Sequence, residues 1–198
     1  MDSNRNPGTG GRGQSVSAAL HTAVDEENLE IVRILLDAGA EPSVSSDGVK
    51  GQCRITATAL DIAVSRQHLG IVQLLLEVGA DTEVLEVMIE GTTEIRRTAL
   101  FASATEGWLE GVRALLGAGA DPDAVSADID RERGVLWSAL HAAAAKGHAG
   151  VVRELLGAGA AHDALTNEGE TALQLACSRD HDSCVAVLEE AARGETSH

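Results

Sequence analysis

The chain repeats one short block five times, and this repetition constrains its fold more than any other feature. The blocks A-A-L-H, T-A-L-D, T-A-L-F, S-A-L-H and T-A-L-Q carry their leucines at Leu20, Leu60, Leu100, Leu140 and Leu173. Self-similarity at a period of about 20 to 50 residues indicates a solenoid, in which each unit buries its apolar face against its neighbours. We therefore expect function to lie on a surface shared by several units.

Each unit contains two short apolar segments separated by a polar break. In the second segment of the first unit, four residues form one stripe of a helix: Ile31, Val32, Leu35 and Leu36. A glycine follows each of these segments, where a left-handed residue ends a helix at low steric cost: Gly39, Gly79, Gly119 and Gly159. The first segment is rich in alanine, which lets units stack closely. The pattern predicts two helices per unit.

The shared pattern T-A-L-x-x-A-x-x-x-x-H-x-x-x-V-x-x-L-L-x-x-G-A is best kept over 58–80 and 138–160. It resembles the ankyrin repeat, and the resemblance covers about 17–193. It implies an all-α solenoid, a stack of helix-turn-helix units with extended β-hairpin fingers. We expect one domain over 16–194, with repeats at about 17–44, 57–84, 97–124, 137–164 and 170–193. Residues 1–15 are expected to form a flexible lead and 195–198 a tail.

The spacing of the leucines shows that three of the four junctions are long. Leu20, Leu60, Leu100 and Leu140 follow one another at 40 residues, whereas Leu173 follows Leu140 at 33, the usual length of an ankyrin repeat. The seven extra residues fall where ankyrin proteins have a hairpin finger. Divided between two arms, they lengthen each arm by roughly 10 Å at about 3.3 Å per residue. Such fingers could pair into a sheet.

The finger sequences, 43–56, 83–97 and 124–137, are typical of hairpins. Asp47-Gly48 and Glu90-Gly91 are turn signals between β-prone arms, and the third finger has a more polar tip over 128–134. One interpretation is that long hairpins only stabilise the stack, since repeat proteins tolerate loop insertions. The equal lengths favour either internal duplication or a requirement that the fingers meet side by side.

The composition limits the possible functions and partners. A net charge of −16 argues against nonspecific nucleic-acid binding and favours a basic or polar protein partner. No apolar run approaches the roughly 20 residues of a membrane span. We find no arrangement of nucleophile, base or paired carboxylates and no phosphate-binding loop, so neither an enzyme nor a cofactor is expected.

Three cysteines are an odd number without a disulfide framework, which suits a reducing compartment, cytoplasmic or nuclear. Cys177, His181 and Cys184 could form a metal site. However, Cys177 aligns with Val24 and Val64, and Cys184 aligns with buried aliphatic residues. We therefore favour structural cysteines and expect no metal. The resemblance likewise implies that His21, His68, His141 and His148 bond to backbone groups and neighbouring loops.

The resemblance implies that partners are bound by the finger tips and by the concave face of the first helices. Trp137, just before the fourth block, either plugs the next finger or anchors a partner. The complete set of expected binding residues is Val49, Lys50, Arg66, Met88, Ile89, Arg97, Glu106, Asp130, Arg131, Arg133, Trp137 and Lys146.

We conclude from the sequence that the protein is a non-catalytic interaction module, a scaffold or adaptor for another protein. Two alternatives stay open. The chain could be a stoichiometric inhibitor that covers the active surface of an enzyme. It could also self-assemble, because unpaired strand edges invite pairing with another copy.

Overall fold

The computed structural model describes residues 10–50, 53–91, 93–128 and 135–194. Within these ranges the helices come in five consecutive pairs, α1/α2 to α9/α10, and two strands follow each of the first three pairs. The elements are α1 Gly10–Asp25, α2 Leu29–Asp37, β1 Ser46–Lys50, β2 Cys53–Ala57, α3 Ala59–Ser65, α4 Leu69–Glu77, β3 Glu86–Glu90, β4 Thr93–Arg97, α5 Ala99–Thr105, α6 Leu109–Gly117, β5 Val125–Asp128, β6 Val135–Ser138, α7 Ala139–Lys146, α8 Ala149–Gly157, α9 Ala172–Cys177 and α10 Asp182–Ala192.

The repeated block begins the first helix of a pair because its hydroxyl residue is an N-cap. The Thr58 hydroxyl accepts a hydrogen bond from the Asp61 backbone N–H, and the Asp61 carboxylate accepts one from the Thr58 N–H. Thr171 and Gln174 form the same capping box in the fifth repeat. Reciprocal bonds of this kind satisfy two of the free N–H groups at a helix start. In the second, third, fourth and fifth repeats, the hydroxyl residue of the block therefore marks where the first helix begins.

The core runs through the stack between two layers of helices. First helices α1, α3, α5, α7 and α9 pack in one layer, and second helices α2, α4, α6, α8 and α10 pack in the other. Both layers contribute fully buried side chains, among them Leu60, Leu100, Leu140, Val72, Val112 and Val152. Burying one such side chain contributes about 1.5–3 kcal/mol. The predicted helix-turn-helix stack is confirmed.

The first and last repeats each pack against one neighbour in this structure. Side chains on their outer faces are therefore exposed where the equivalent residues of inner repeats are buried. Ile31 is 43% exposed, whereas Ile71, its equivalent in the second repeat, is 0% exposed. Cys177 is exposed, although Val24 and Val64 at the same position are buried. The expectation of a buried structural Cys177 is therefore wrong, because within the described residues no repeat packs on that face. Cys184 is buried, as expected.

The strands form one antiparallel sheet, in the order β1-β2-β3-β4-β5-β6. Within fingers, β1 pairs with β2, β3 with β4 and β5 with β6. Between fingers, β2 pairs with β3 and β4 with β5. We call these six strands the finger sheet. The suggested side-by-side pairing of the fingers is confirmed, and the label all-α is corrected to a helical stack with an antiparallel sheet.

The position of one predicted turn is wrong. Asp47-Gly48 lies inside β1, where Asp47 is opposite Thr56, and the Thr56 hydroxyl donates to the Asp47 carboxylate over 2.6 Å. The register joins Lys50 to Cys53, so the hairpin closes beyond the Asp-Gly pair. In the second finger, Gly91 follows β3 with a φ of +61°, as Glu90-Gly91 predicted. A local turn signal was outweighed by pairing along the whole arm.

The predicted flexible lead over 1–15 overlaps the first helix. Helix α1 begins at Gly10, so residues 10–15 are helical, and 1–9 lie outside the described ranges. The same helix carries the buried Leu20 and Val24 further along. Once packing fixes the later turns, each added residue gains a backbone hydrogen bond, which extends the helix toward its start.

Two kinds of feature are absent from the described part of the chain. In that part, no group of three or more His, Cys, Asp or Glu side chains is placed to hold a metal ion. No helix there has both the length and the apolar character needed to cross a membrane.

Candidate functional site

A cavity of about 560 Å³ lies where the finger sheet meets the first helices. The sheet contributes Met88, Ile95 and Trp137 to its lining, and helices α5, α7 and α9 contribute Phe101, Ala142 and Leu175. We call this space the groove cavity. A volume of this size lies in the usual range of ligand sites, about 300–1,000 Å³. It can hold a few side chains of a partner.

The sheet presents an apolar row to the groove. Ile55 lies opposite Met88, and Met88 lies opposite Ile95, so the three side chains run straight across β2, β3 and β4. Each is partly exposed. Side chains alternate between the two faces of a strand, so Ile89 points to the other face from Met88. The predicted pair of apolar contacts, Met88 and Ile89, is thus divided between two surfaces.

Trp137 lies on β6 at the edge of the groove cavity. Its ring is partly exposed, and the guanidinium of Arg179 lies 5.5 Å from the ring centroid. The indole Nε1 is buried and has no hydrogen-bond partner within the described residues. An indole that only filled space would be expected to bury its ring and pair its N–H. Trp137 does neither, which favours the contact interpretation over the plug.

Arg97 lines the same cavity, but a neighbouring carboxylate already pairs with it. Its Nε lies 2.5 Å from a carboxylate oxygen of Glu86, directly across β3 and β4. Both side chains are largely buried. Asp61 lies close enough to feel their charges, and its pKa is raised to about 6, chiefly because burial disfavours the ionised form. Arg97 therefore has a structural role in the sheet.

Two other cations at the cavity have no acidic partner in the described part of the chain. Lys146 ends α7, and its exposed side chain is in no hydrogen bond or ion pair there. Arg179 follows α9 and donates a hydrogen bond to the backbone oxygen of Ala145 over 3.0 Å. Arg179 occupies the same position in its repeat as Lys146 does in the preceding one. This alignment was visible in the sequence, although only Lys146 was selected.

The structure brings together four of the twelve expected binding residues. Met88, Arg97, Trp137 and Lys146 line the groove cavity. Phe101, Ile95 and Arg179 also line it, although they are not among the twelve expected residues. Phe101 had a sequence signal, since it replaces the histidine of the repeated block.

The other expected residues lie elsewhere. Val49, 75% exposed, lies on the outermost strand, β1. Arg66 forms an exposed ion pair with Asp25 over 2.5 Å, and Glu106 lines a separate cavity of about 220 Å³. Lys50 ends β1, and its side chain is not among those described. Asp130, Arg131 and Arg133 lie outside the described residues.

The histidines bond to backbone groups, as expected, some within their own repeat and others between repeats. His148 Nε2 donates to the backbone oxygen of Thr105, and His68 Nδ1 accepts from the Ile71 N–H. In the fourth repeat, His141 Nδ1 accepts from the Ser138 N–H and Nε2 donates to the oxygen of Ala164 over 3.0 Å. Burial lowers the pKa of His141, which keeps the ring neutral for both bonds.

Comparison with known proteins agrees with this architecture. A family model described as ankyrin repeats (3 copies) matches residues 12–86 and 124–195. A second model, described as ankyrin repeat, matches residues 96–127. No curated protein matches the chain. The matched ranges contain Phe101, Trp137 and Leu175 of the groove cavity, whereas Met88 and Ile95 lie in the unmatched stretch 87–95.

Proposed function

Because the chain belongs to the ankyrin-repeat family, we propose that it is a non-catalytic scaffold or adaptor that binds a partner protein through its fingers and groove. Ankyrin repeats are generally protein–protein interaction modules, and the family is typically non-catalytic. The observation that carries the proposal is the groove cavity. There Trp137 keeps part of its ring exposed beside an apolar row of the finger sheet. Exposed aromatic residues next to a cavity are common anchors of protein interfaces.

The long fingers give this groove a taller wall than repeats of ordinary length would. Met88 and Ile95 lie on strands of the second finger, and Trp137 ends the third. Shortening the fingers would remove much of this wall while leaving the helical layers in place. The fingers and the groove are therefore proposed to act as one binding surface.

Affinity capture from a matched cell extract tests the proposal. The intact chain is compared with one whose three long fingers are each shortened by seven residues to match the fifth repeat. Circular dichroism verifies equal helical content. We expect the intact chain to retain a specific protein that the shortened chain loses. Trp137→Ala, a point change, should weaken the same capture. Retention by the shortened chain would place binding on the helices, and capture of no specific protein by either would contradict the proposal.

An activity assay on the captured partner distinguishes a scaffold from an inhibitor. If the captured partner is an enzyme, adding the purified chain should leave its activity unchanged for a scaffold. Stoichiometric loss of activity would instead support the inhibitor alternative.

The two edges of the finger sheet limit the self-assembly alternative. At the β6 edge, the Leu136 N–H donates to the side-chain oxygen of Asn167 over 3.0 Å, which blocks part of that edge. Strand β1 is the outer strand at the other edge. Growth of a filament by sheet pairing requires two open edges, whereas one open edge permits at most a closed pair. We therefore favour binding of a different protein.

A further inference from the structure

We propose that the groove cavity binds a short amphipathic segment whose acidic residue meets Lys146 and Arg179 and whose apolar residue contacts Trp137. This inference rests on the proposed function and adds the chemistry of the partner. It runs against the overall composition, because a net charge of −16 by itself favours a basic partner.

The first argument is that two cations are available at one end of the cavity. Lys146 ends α7 and Arg179 lies just beyond the end of α9, and within the described residues neither is in an ion pair. By contrast, the other two cations that line the cavity, Arg96 and Arg97, each have an acidic partner within 2.6 Å. The cations at the cavity are thus free to pair with a carboxylate from outside.

The second argument is that Arg179 is already held in place. One of its nitrogens donates to the Ala145 oxygen, and its guanidinium lies over the Trp137 ring. A guanidinium has five N–H donors, so others remain for a ligand. A cation fixed by a carbonyl and a ring loses little freedom when it binds a carboxylate. The apolar contact and the charge contact would be made side by side.

The third argument concerns the orientation in which a segment would lie in the cavity. Glu168 and Glu170 line the same cavity, and they precede α9, whereas Arg179 follows it. Helix α9 has six residues and therefore separates the two ends by about 9 Å at 1.5 Å per residue. The cavity is therefore lined by acidic side chains near the start of α9 and by a basic side chain near its end. A segment with its acidic residue toward Lys146 and Arg179 is favoured over the reverse orientation.

Local charge can outweigh net charge at this distance. At physiological salt, interactions between exposed charges are largely screened beyond about 8 Å. Most of the acidic surface therefore acts weakly on a carboxylate that contacts two cations directly. The simpler role for Lys146 and Arg179 is to stabilise the ends of their helices, where cations interact favourably with the helix dipole. That role predicts an effect on stability and none on the choice of ligand.

Two fluorescein-labelled peptides test the inference by fluorescence anisotropy. They share one apolar face and differ only in carrying glutamates or lysines beside it. We expect the full chain to bind the glutamate peptide more tightly. Lys146→Glu combined with Arg179→Glu should weaken that binding by about tenfold or more, since a hydrogen bond to a charged group contributes about one to two factors of ten. Replacing Glu168 and Glu170 by glutamine should strengthen it.

Arg153→Glu combined with Arg33→Glu is the matched control, because both arginines are exposed on second helices and the change in net charge is the same. These variants should keep wild-type affinity for the glutamate peptide. Equal or tighter binding of the lysine peptide would overturn the inference. The inference would also be overturned if Lys146→Glu combined with Arg179→Glu left the affinity for the glutamate peptide unchanged. This outcome counts only if the variant unfolds at the same midpoint as the wild type. If neither peptide binds, the inference fails, while partner capture by the intact chain still decides the proposed function separately.

Discussion

Replacing Asp61 by asparagine should stabilise the protein at neutral pH. Asp61 is 5% exposed and occupies the position that histidine holds in the first and fourth repeats. Its carboxylate accepts hydrogen bonds from the N–H and hydroxyl of Thr58, each over 2.8 Å. An asparagine side-chain oxygen can accept the same two bonds without a charge. The substitution therefore removes the buried charge and keeps the cap of α3.

The magnitude follows from the raised pKa. The pKa of Asp61 rises from 3.8 to about 6, mainly through burial, which outweighs the opposing effect of the two hydrogen bonds from Thr58; Glu86 raises it slightly and Arg97 lowers it slightly. A pKa that is higher by roughly two in the folded state than in the unfolded state corresponds to about 3 kcal/mol of unfolding free energy. In the folded protein the Asp61 carboxyl group keeps its proton to a higher pH than in the unfolded chain. The stability associated with protonated Asp61 is thus fully present below about pH 4 and is lost as the pH rises to about 6.

Urea denaturation of both proteins between pH 4 and pH 8 measures this effect. The free energy of unfolding of Asp61→Asn, relative to the native protein, should increase from pH 4 to pH 6 and level off at up to about 3 kcal/mol. Contributions of other groups cancel in the difference. Asp163→Asn, at an exposed carboxylate, is the control and should show no such rise. A difference that does not vary with pH, or a variant less stable than the native protein at pH 7, would refute the reasoning.

Three other predictions follow from buried polar groups and thiols. Arg97→Ala leaves the Glu86 carboxylate buried without its partner and should lower the free energy of unfolding by about 3–5 kcal/mol, as measured by urea denaturation. Glu86→Leu combined with Arg97→Met removes both charges and should restore most of that loss. Because burial lowers the pKa of His141, its contribution to stability should fall as the pH drops below about 6.5, and His141→Gln should reduce the difference between melting temperatures at pH 7 and pH 5. A thiol reagent should label exposed Cys177 in the folded protein, whereas Cys184, which is 0% exposed and whose thiol pKa is raised by burial, should react only on unfolding.

The helical stack was predictable because its signals are local. Hydroxyl caps, alanine-rich first helices and glycines with positive φ, such as Gly39 and Gly119, each act within one repeat. The register of the fingers was harder to predict, because β1 and β2 pair along their whole length. Asp47-Gly48 satisfied a turn rule and still became strand. Pairing between fingers joins residues far apart in sequence, such as Ile55 and Met88, and no local rule specifies it.

The site was predictable only in part for a similar reason. Trp137 and Lys146 stand at variable positions of the repeat, which the resemblance implied as contacts, and both line the groove cavity. Met88 and Ile89 were equally apolar and adjacent, so only the strand register decides which one faces the groove. Arg97 stood at a variable position too, but its pairing with Glu86 depends on strand neighbours. The sequence identified the candidates, and the sheet determined which of them lie together.

The equal lengths of the long fingers are better explained by their pairing than by duplication alone. An arm longer than its neighbour would leave more backbone N–H and C=O groups without strand partners, so matched arms are favoured where β2 meets β3, over three residue pairs, and where β4 meets β5, over two. Duplication also gives equal lengths, but it does not account for how the sheet ends. The fifth repeat has a finger of ordinary length, and its Asn167 bonds the Leu136 N–H that a further strand would otherwise meet. The sheet therefore stops, with part of its edge blocked, at the repeat where the insertions stop.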